Sequence, residues 1–568
     1  MKVSKAEGQG SVRSDVEQSW HAIDWQRVER NVRGMQIRIA KATQDGNWRR
    51  VKALQRMLSR SFSGKALAVR RVTQNQGART AGVDRELWNT PEAKLEAINQ
   101  LKRRGYKPRP LRRVYIPKPN GQQRPLGIPT MLDRAMQALH LSGLEPVAEV
   151  QGDRNSYGFR RNRSTHDAMS QLFICFARRG AAPYVLEADI AGCFDAINHE
   201  WLLDNVLMDK VVLRKWLRAR VVDKGQLTAT TAGTPQGGII SPTLANVALN
   251  GLEPELAKHL NAKLGTAKAK KRKVNTVRYA DDFVITGDSV EFLASEVKPW
   301  IEQFLAERGL QLSTVKTRIV SIDQGFDFLG WNFRRYKAKL LIKPSRKNVA
   351  AFYGKVKEVI SANKTVKQED LISLLNPILR GWANYHSPVV AKATFSRLDS
   401  LIFRAIWSWS KRRHRNKSAG WVRKKYFHSE GNRNWVFSTT VVKDDGEQAR
   451  VTLLRLADTP IRRHKKVKGS YNPFDPAHEL YGETLHQERM LHSMRHRKQW
   501  TSLYRSQGGL CAHCGSKITR ETGWHDHHIH RRVDGGSNRL ANRVLLHPVC
   551  HVKVHSQGII VAKPGCTL

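Results

Sequence analysis

The stretch Val277-Arg278-Tyr279-Ala280-Asp281-Asp282-Phe283-Val284-Ile285 decides the reading of this chain. Two adjacent carboxylates stand between two short runs rich in β-branched and aromatic residues, which predicts strand, tight turn, strand, with both acids at the tip. Neighbouring like charges repel unless a cation neutralises them. Carboxylate clusters suit Mg²⁺, which keeps waters and takes substrate phosphates as further ligands. Two such ions, roughly 3.5–4 Å apart, can clamp the attacking and leaving oxygens of a phosphoryl transfer. An exposed acidic β-turn has the same local sequence, since Asp is a common turn residue, so the surrounding chain has to decide.

A third carboxylate lies upstream. Tyr184-Val185-Leu186-Glu187-Ala188-Asp189-Ile190 reads as a buried strand that delivers Asp189 at its end, followed by a turn through Cys193-Phe194-Asp195. Between the acidic sites is Gly233-Thr234-Pro235-Gln236-Gly237-Gly238, a punctuated loop leading into a helix-like stretch from Thr243 to Leu249. Its glycines let backbone N–H groups approach a nucleotide closely.

In this order these segments resemble the palm motifs of reverse transcriptases. Arg112 to Gly121 and Arg124 to Pro129 resemble the basic fingers hairpin, with Asn120-Gly121 as its turn signal. Tyr157-Gly158-Phe159-Arg160 resembles the next fingers motif, and Leu312 to Thr317 and Phe326 to Trp331 the closing palm segments. Asn75-Gln76-Gly77 with Ala81 to Asp84 resembles the N-terminal extension of the group II intron branch. Leu375 to Ile378 and Arg380 to His386 resemble the maturase domain, domain X. The chain is identified by these motifs as similar to group II intron-encoded reverse transcriptases and maturases. The resemblance implies that Asp189, Asp281 and Asp282 hold two Mg²⁺ ions and that Phe194 gates the sugar of the incoming nucleotide. It also implies that Lys118 and Arg124 clasp the triphosphate, Gln236 supports the template–nucleotide pair and Lys316 meets departing pyrophosphate.

The C-terminal region carries a second chemistry. Cys511-Ala512-His513-Cys514 and His547-Pro548-Val549-Cys550 supply four ligands, Cys511, Cys514, His547 and Cys550, at the spacing of a structural Zn²⁺ site. Cys175, Cys193 and Cys566 are scattered and suggest no disulfide framework, which fits a reducing compartment. Between the knuckles lies His525-Asp526-His527-His528. His551 and His555, four apart, share a helix face and with His527 could bind one divalent metal, leaving His528 to take a proton from water. This pattern resembles an HNH nuclease of ββα-metal fold, which implies His528 as general base, His527, His551 and His555 as ligands, and Asn542 as support for the loop carrying the base. A histidine-rich zinc-binding tail without catalysis is the bland alternative. Many family members carry Cys where His547 stands, and histidine can replace it as a zinc ligand.

Among the 568 residues, Lys and Arg number 98 against 49 Asp and Glu, a formal charge of +49 spread along the whole chain. Such a field calls for a polyanion, and nucleic acid is the natural partner. There is no apolar run of the length, ~20 residues, that spans a bilayer, and the start lacks a signal-peptide core. A soluble cytoplasmic protein is expected.

The fold class expected is multidomain α+β. A basic helical N-terminal extension would occupy residues 1–60, right-hand polymerase fingers and palm 61–342, and a helical thumb or maturase domain 343–442. A DNA-binding region and linker would follow at 443–494, read as linker-like because of Pro473 and Pro476, then a ββα-metal HNH module with zinc knuckles at 495–568. The lysine-rich stretch Lys263 to Lys273 reads as a loop or strand edge touching phosphate. Tryptophans of 343–442 among many cations suit RNA, although most also suit ordinary helix packing. The expected partners are the group II intron RNA, target DNA and deoxynucleoside triphosphates, with no membrane. A splicing factor with a dead palm, or a reverse transcriptase of another retroelement, are the rivals. All three palm acids are present, which favours activity, and domain X with an HNH tail disfavours the second rival.

Overall fold

The computed structural model describes residues 20, 22–117, 121–442, 448–494, 498–531, 534, 536–537 and 539–563. Lys118 and Asn120 of the fingers hairpin lie outside the described residues, as do Gly535, Asn538 and Cys566.

Three helices open the described chain, Trp25–Gln44, Trp48–Arg60 and Phe62–Gln74. Asp24, Asn47 and Ser61 each accept a backbone N–H at a helix start, satisfying donors that would otherwise be orphaned. The helical layer runs on past residue 60 without a break: Ser61 ends one helix and caps the next. These helices bury Val32, Ile39, Val51, Leu54 and Leu58.

The fingers follow. Strand β1 (Leu111–Pro117) pairs antiparallel with β2 (Gln123–Ile128). Helix Met131–Val150, almost wholly buried, follows and packs against the three opening helices. The palm begins with β3 (Tyr184–Asp189). A short hairpin, β4 (Val221–Asp223) and β5 (Gln226–Thr228), extends the fingers sheet to the order β2-β1-β4-β5. Strands β6 (Thr276–Tyr279), β7 (Asp282–Gly287) and β8 (Arg318–Ser321) complete an antiparallel palm sheet ordered β6-β7-β3-β8.

Alternation along the palm strands divides the interior in two. Leu186, Ala188, Phe283 and Ile285 face one core, shared with helix Met131–Val150 and the helices after β5. Val185, Val277 and Val284 face the other, shared with the thumb. A strand buried on both faces reads as a continuous apolar run, which is why Phe283-Val284-Ile285 shows no polar alternation.

Two expectations are corrected here. Lys263 to Lys273 is mostly helical: Leu252–Leu264 is a helix, Gly265 breaks it at φ 77°, Thr266–Lys271 resumes, and Arg272 and Lys273 turn toward the next strand. Alanine, leucine and lysine are strong helix formers, and that propensity outweighs a charge run. Residues 343–442 are helical only in part. Helices Arg346–Ala362, Gln368–His386, Lys392–Arg413 and Ala419–Tyr426 give way to a three-stranded sheet of Phe427–Glu430, Arg433–Val442 and Gln448–Thr452. The run Trp435 to Val442 is β-branched and aromatic, which favours strand.

The expected linker between the thumb and the last module is likewise not linker-like. Val467, Tyr471 and Leu485 are buried in the palm–thumb core, and helix Glu479–Met494 continues from there. Burial of these apolar side chains, invisible to a count of prolines, fixes the segment. The last module has its own core, built on Leu503, Tyr504, Ile518 and Val544 to Leu546. Among the described residues no helix is long and apolar enough to cross a membrane.

Gly158 packs tightly against the backbone of Ala280. A methyl added there would lie 3.0 Å from the Cα of Ala280 and nearer still to its nitrogen. Overpacking of a tight contact costs about 1–3 kcal/mol. Gly158→Ala should therefore lower the unfolding free energy by about that amount, read by denaturant titration, and depress DNA synthesis by displacing the Ala280 turn.

Candidate active sites in the palm and the C-terminal module

The acidic hairpin is a two-residue turn. Tyr279 pairs with Asp282, leaving Ala280 and Asp281 as the loop. Ala280 sits at φ 59°, a region that non-glycine residues seldom occupy. Its surroundings hold it there. Tyr157 N–H donates to the Arg278 carbonyl at 2.9 Å, and Arg278 N–H donates to the Asn155 carbonyl at 2.9 Å. Asn246, on helix Ser241–Leu249, donates through Nδ2 to the Gly158 carbonyl at 2.9 Å.

Arg278 lies beneath the turn and is 1% exposed. Its guanidinium donates to Asn246 Oδ1 at 3.1 Å, Asn250 Oδ1 at 3.0 Å and the Ala280 carbonyl at 3.3 Å. Burial pulls its pKa down to about 10, against the opposing pull of Asp153. It remains charged at neutral pH and anchors the turn from below. The sequence reading passed over Arg278 because a lone arginine in a strand carries no signal of its own.

Register brings the carboxylates together. Asp189, the last residue of β3, stands directly opposite Asp282, the first of β7. Burial, a hydrogen bond with Asp189 and the charges of Asp281 and Asp189 push Asp282 up to about 7. Burial and the Asp189 charge raise Asp281 as well, while Lys316 and Arg124 oppose the shift. Acids that resist ionisation in this way fit a site meant for cations, since a divalent ion would remove the repulsion. Lys316 Nζ lies 2.7 Å from Asp189 Oδ2, on a turn pinned where Ser313 N–H donates to the Asp189 carbonyl at 2.8 Å.

The other palm candidates fall around these acids. Phe194 is half-buried in the short helix Cys193–Ala196 and meets Phe159 edge-on at 6.1 Å. Phe159 is 52% exposed at φ 57° and so projects an aromatic face beside the candidate gate. In sequence Phe159 is only one position of a motif, with nothing to mark its exposure. Gln236 Nε2 donates to Asp195 Oδ2 at 3.1 Å, so its amide is tied to the turn that carries Phe194. The Gln236 carbonyl accepts from Gly127 N–H at 2.7 Å, linking the loop to the fingers. Gly233, at φ 81°, admits the backbone of Phe194 and Asp195 where a side chain would collide. Arg124 is exposed on β2.

In the C-terminal module His525–His528 pairs with Arg543–Leu546, and helix Pro548–Ser556 packs behind, giving β, β, α. His527 is 4% exposed, with its Nδ1 buried and lacking a hydrogen-bond partner. One ligand atom from each of His527, His551 and His555 lies within 4.8 Å of the others. Burial and the neighbouring His551 and His555 pull His527 down to about 4, which favours the neutral ring that a metal needs. Three imidazoles converging in this way fit a divalent ion. His528 points to the other face of the strand, half-buried. Asn542 staples the chain just beyond it: Oδ1 accepts from His530 N–H at 2.8 Å and Nδ2 donates to the His530 carbonyl at 2.9 Å.

Cys511, Cys514, His547 and Cys550 also converge within 4.8 Å. His547 Nδ1 lies 3.3 Å from Cys514 Sγ, while its Nε2 donates to the Lys517 carbonyl at 3.2 Å. That outer bond selects the tautomer whose Nδ1 is free to ligate. Backbone N–H of His547 donates to Cys511 Sγ at 3.4 Å, as thiolate sites require.

Four family descriptions match: N-terminal domain of reverse transcriptase over residues 20–101, reverse transcriptase (RNA-dependent DNA polymerase) over 116–333, group II intron maturase-specific domain over 349–427, and HNH endonuclease over 511–557. The fold and sites thus define an RNA-directed DNA polymerase carrying a maturase domain and an endonuclease domain. Protein YkfC of Escherichia coli K12 is 34% identical over 317 residues, 48% of this chain and 81% of that one. The group II intron-encoded protein LtrA of Lactococcus lactis is 30% identical over 362 residues, 53% of this chain and 60% of LtrA. A solved structure of telomerase from Candida albicans aligns at 13% identity and TM-score 0.33, covering 56% of this chain and 64% of that one. The chain belongs to the group II intron-encoded proteins.

With Asp282 raised to about 7, a divalent ion binding among the facing carboxylates would compete with a proton, and increasingly so as pH falls. The apparent affinity of the palm for its divalent cation should therefore weaken as pH falls from 8 to 6, as read by cation titration of primer extension at each pH.

Proposed function

We propose that this protein acts on its own intron RNA and on target DNA in the cytoplasm, assisting splicing and then copying the excised RNA into DNA. The observation that carries the reading is the antiparallel register that sets Asp189 against Asp282 with Asp281 at the turn.

Asp189, Asp281 and Asp282 would hold two Mg²⁺ ions. Bound there, the ions supply charge neutralisation at the triphosphate and at the primer 3′-hydroxyl. Arg124, and Lys118 from the same hairpin, bind the triphosphate. Phe194 lies under the sugar and excludes a 2′-hydroxyl, with Gln236 fixed beside it by Asp195. Lys316, already poised at the acids, neutralises the departing pyrophosphate. In-line attack of the 3′-hydroxyl on the α-phosphate then extends the DNA.

In the last module His527, His551 and His555 would hold one divalent cation, whose role is to stabilise charge at the scissile phosphate. His528 takes a proton from the attacking water, and Asn542 keeps its loop in place. Cys511, Cys514, His547 and Cys550 would hold a structural Zn²⁺, consistent with three sulfurs and one oriented imidazole. The RNA reverse-splices into one strand, the endonuclease nicks the other, and the freed 3′-hydroxyl primes synthesis.

Such small modules draw folding energy from their metal. Cys511→Ser should lower the zinc content of purified protein by one equivalent and unfold the last module, while primer extension persists. Metal analysis that finds no zinc in the unaltered protein would count against the site.

The two active sites should separate cleanly. Asp281→Ala with Asp282→Ala should abolish DNA synthesis on a primed RNA template and leave second-strand nicking intact. His528→Ala should slow nicking by about 10²- to 10⁴-fold, the usual worth of a general base, and leave primed synthesis unchanged. Full synthesis by the double aspartate variant would sink the palm reading. Normal nicking by His528→Ala would make the tail a zinc-stabilised binding element.

A further inference from the structure

Residues 428–510 fall between the maturase and endonuclease matches, and none of the four family descriptions covers them. Part of this segment holds the fingers loop that supports the catalytic turn. The centre of that grip is Asp167, in the first turn of helix Thr165–Phe176, with a fully buried side chain.

Asp167 collects donors from chain positions about 300 residues apart. Ser164 donates to Oδ2 through N–H and Oγ, each at 2.8 Å. His464 Nε2 and Val467 N–H reach Oδ1 at 2.9 Å each. Arg489 Nη2 reaches both oxygens, at 3.1 and 3.0 Å. Burial alone would raise the carboxyl's pKa, but the His464 hydrogen bond and the Arg489 charge outweigh it and hold Asp167 near 2.

The same segment grips the loop ahead of Asp167. Arg489 Nη1 donates to the Asn162 carbonyl. Asn162 Nδ2 donates to Tyr471 Oη at 2.9 Å, and Arg163 Nη2 to the Tyr471 carbonyl at 2.9 Å. Arg160 and Arg163 both ion-pair with buried Glu149, at 2.9 and 2.5 Å. At its other end this loop carries Gly158 against Ala280. A continuous run of contacts thus leads from Arg489 to the acidic turn.

Helix Glu479–Met494 also belongs to two cores. Leu485 is buried with the palm and thumb, Met490 and Met494 with the last module. Glu483 pairs with Lys517 at 2.6 Å, and His486 Nε2 donates to the Ile518 carbonyl at 3.3 Å, beside the zinc-type knuckle.

We propose that Asp167 is a positioning residue for DNA synthesis, and that residues 462–494 form a strut which sets the acidic turn through it and ties the endonuclease module to the same support. The proposal rests on the polymerase reading of the palm. Removing Arg489 or His464 loosens the loop, and with it Gly158 and Ala280, without touching template, primer or nucleotide. Small misplacements of reacting groups reduce rate strongly.

The test uses the full chain with Arg489→Ala, Arg489→Lys and His464→Ala. Single-turnover incorporation of dTTP on oligo(dT) annealed to poly(rA) is measured with Mg²⁺, well below the melting temperature of each variant. Arg489→Ala should slow the maximal rate at least tenfold while primer–template affinity stays within twofold. Arg489→Lys, which keeps the charge, should recover part of the rate, and His464→Ala should lose several-fold. Nicking and zinc content should change little, because Met490 and Met494 remain in place.

A folded Arg489→Ala that incorporates within twofold of the unaltered protein overturns the proposal. So does a rate loss matched by an equal loss of primer–template affinity, which would make the strut a nucleic-acid support. If Arg489→Ala fails to fold, Arg489→Lys and His464→Ala decide on the same criteria. Failure of the unaltered protein to incorporate dTTP would instead refute the polymerase reading itself.

Discussion

The pairing of Asp189 with Asp282 is the constraint on which the molecule is organised. Antiparallel register fixes it. A slip of one residue would send every side chain of β7 to the opposite face, exchanging Phe283 and Ile285 with Val284 between two cores of different shape. Hydrophobic packing on both faces of the palm therefore determines where two carboxylates meet. That repulsion, together with burial, appears as the raised Asp282, and a cation bound there would relieve it.

Rigid support for so short a turn comes from far away. Arg278, Asn246 and Gly158 hold Ala280 from below and from the side, and Asp167 holds the loop that carries Gly158. Buried charges are tolerated because each is surrounded: Arg278 by amide and carbonyl oxygens, Glu149 by two arginines, Asp167 by His464, Arg489, the Ser164 hydroxyl and two backbone N–H groups. Glu149 and Asp167 collect arginines, whereas the buried Asp133 and Asp153 are satisfied by hydroxyls and backbone N–H groups.

The two Cys/His clusters of the last module would answer different needs within a small space. One draws its four side chains from two knuckles and would knit the module together; the other gathers one histidine from a strand and two from a helix, on the side away from His528. The alternating faces of a strand keep adjacent His527 and His528 apart.

Local chemistry was legible in the sequence. The acidic hairpin, the Cys/His knuckle spacing and the His551–His555 helical pair are set by residues within a few positions of each other, so strand alternation and helix period sufficed. Composition announced a polyanion partner for the same reason: charge adds without reference to fold. Less legible were the helical turns around Gly265, where propensity outweighs a charge run, and the segment after residue 443, where the buried Val467, Tyr471 and Leu485 outweigh two prolines. Tertiary structure alone decided Arg278, Phe159 and Asp167. Each looks ordinary in sequence, and each acquires its place from partners tens to hundreds of residues away: exposed Phe159 from the ring of Phe194, and buried Arg278 and Asp167 from polar groups that satisfy a charge cut off from water.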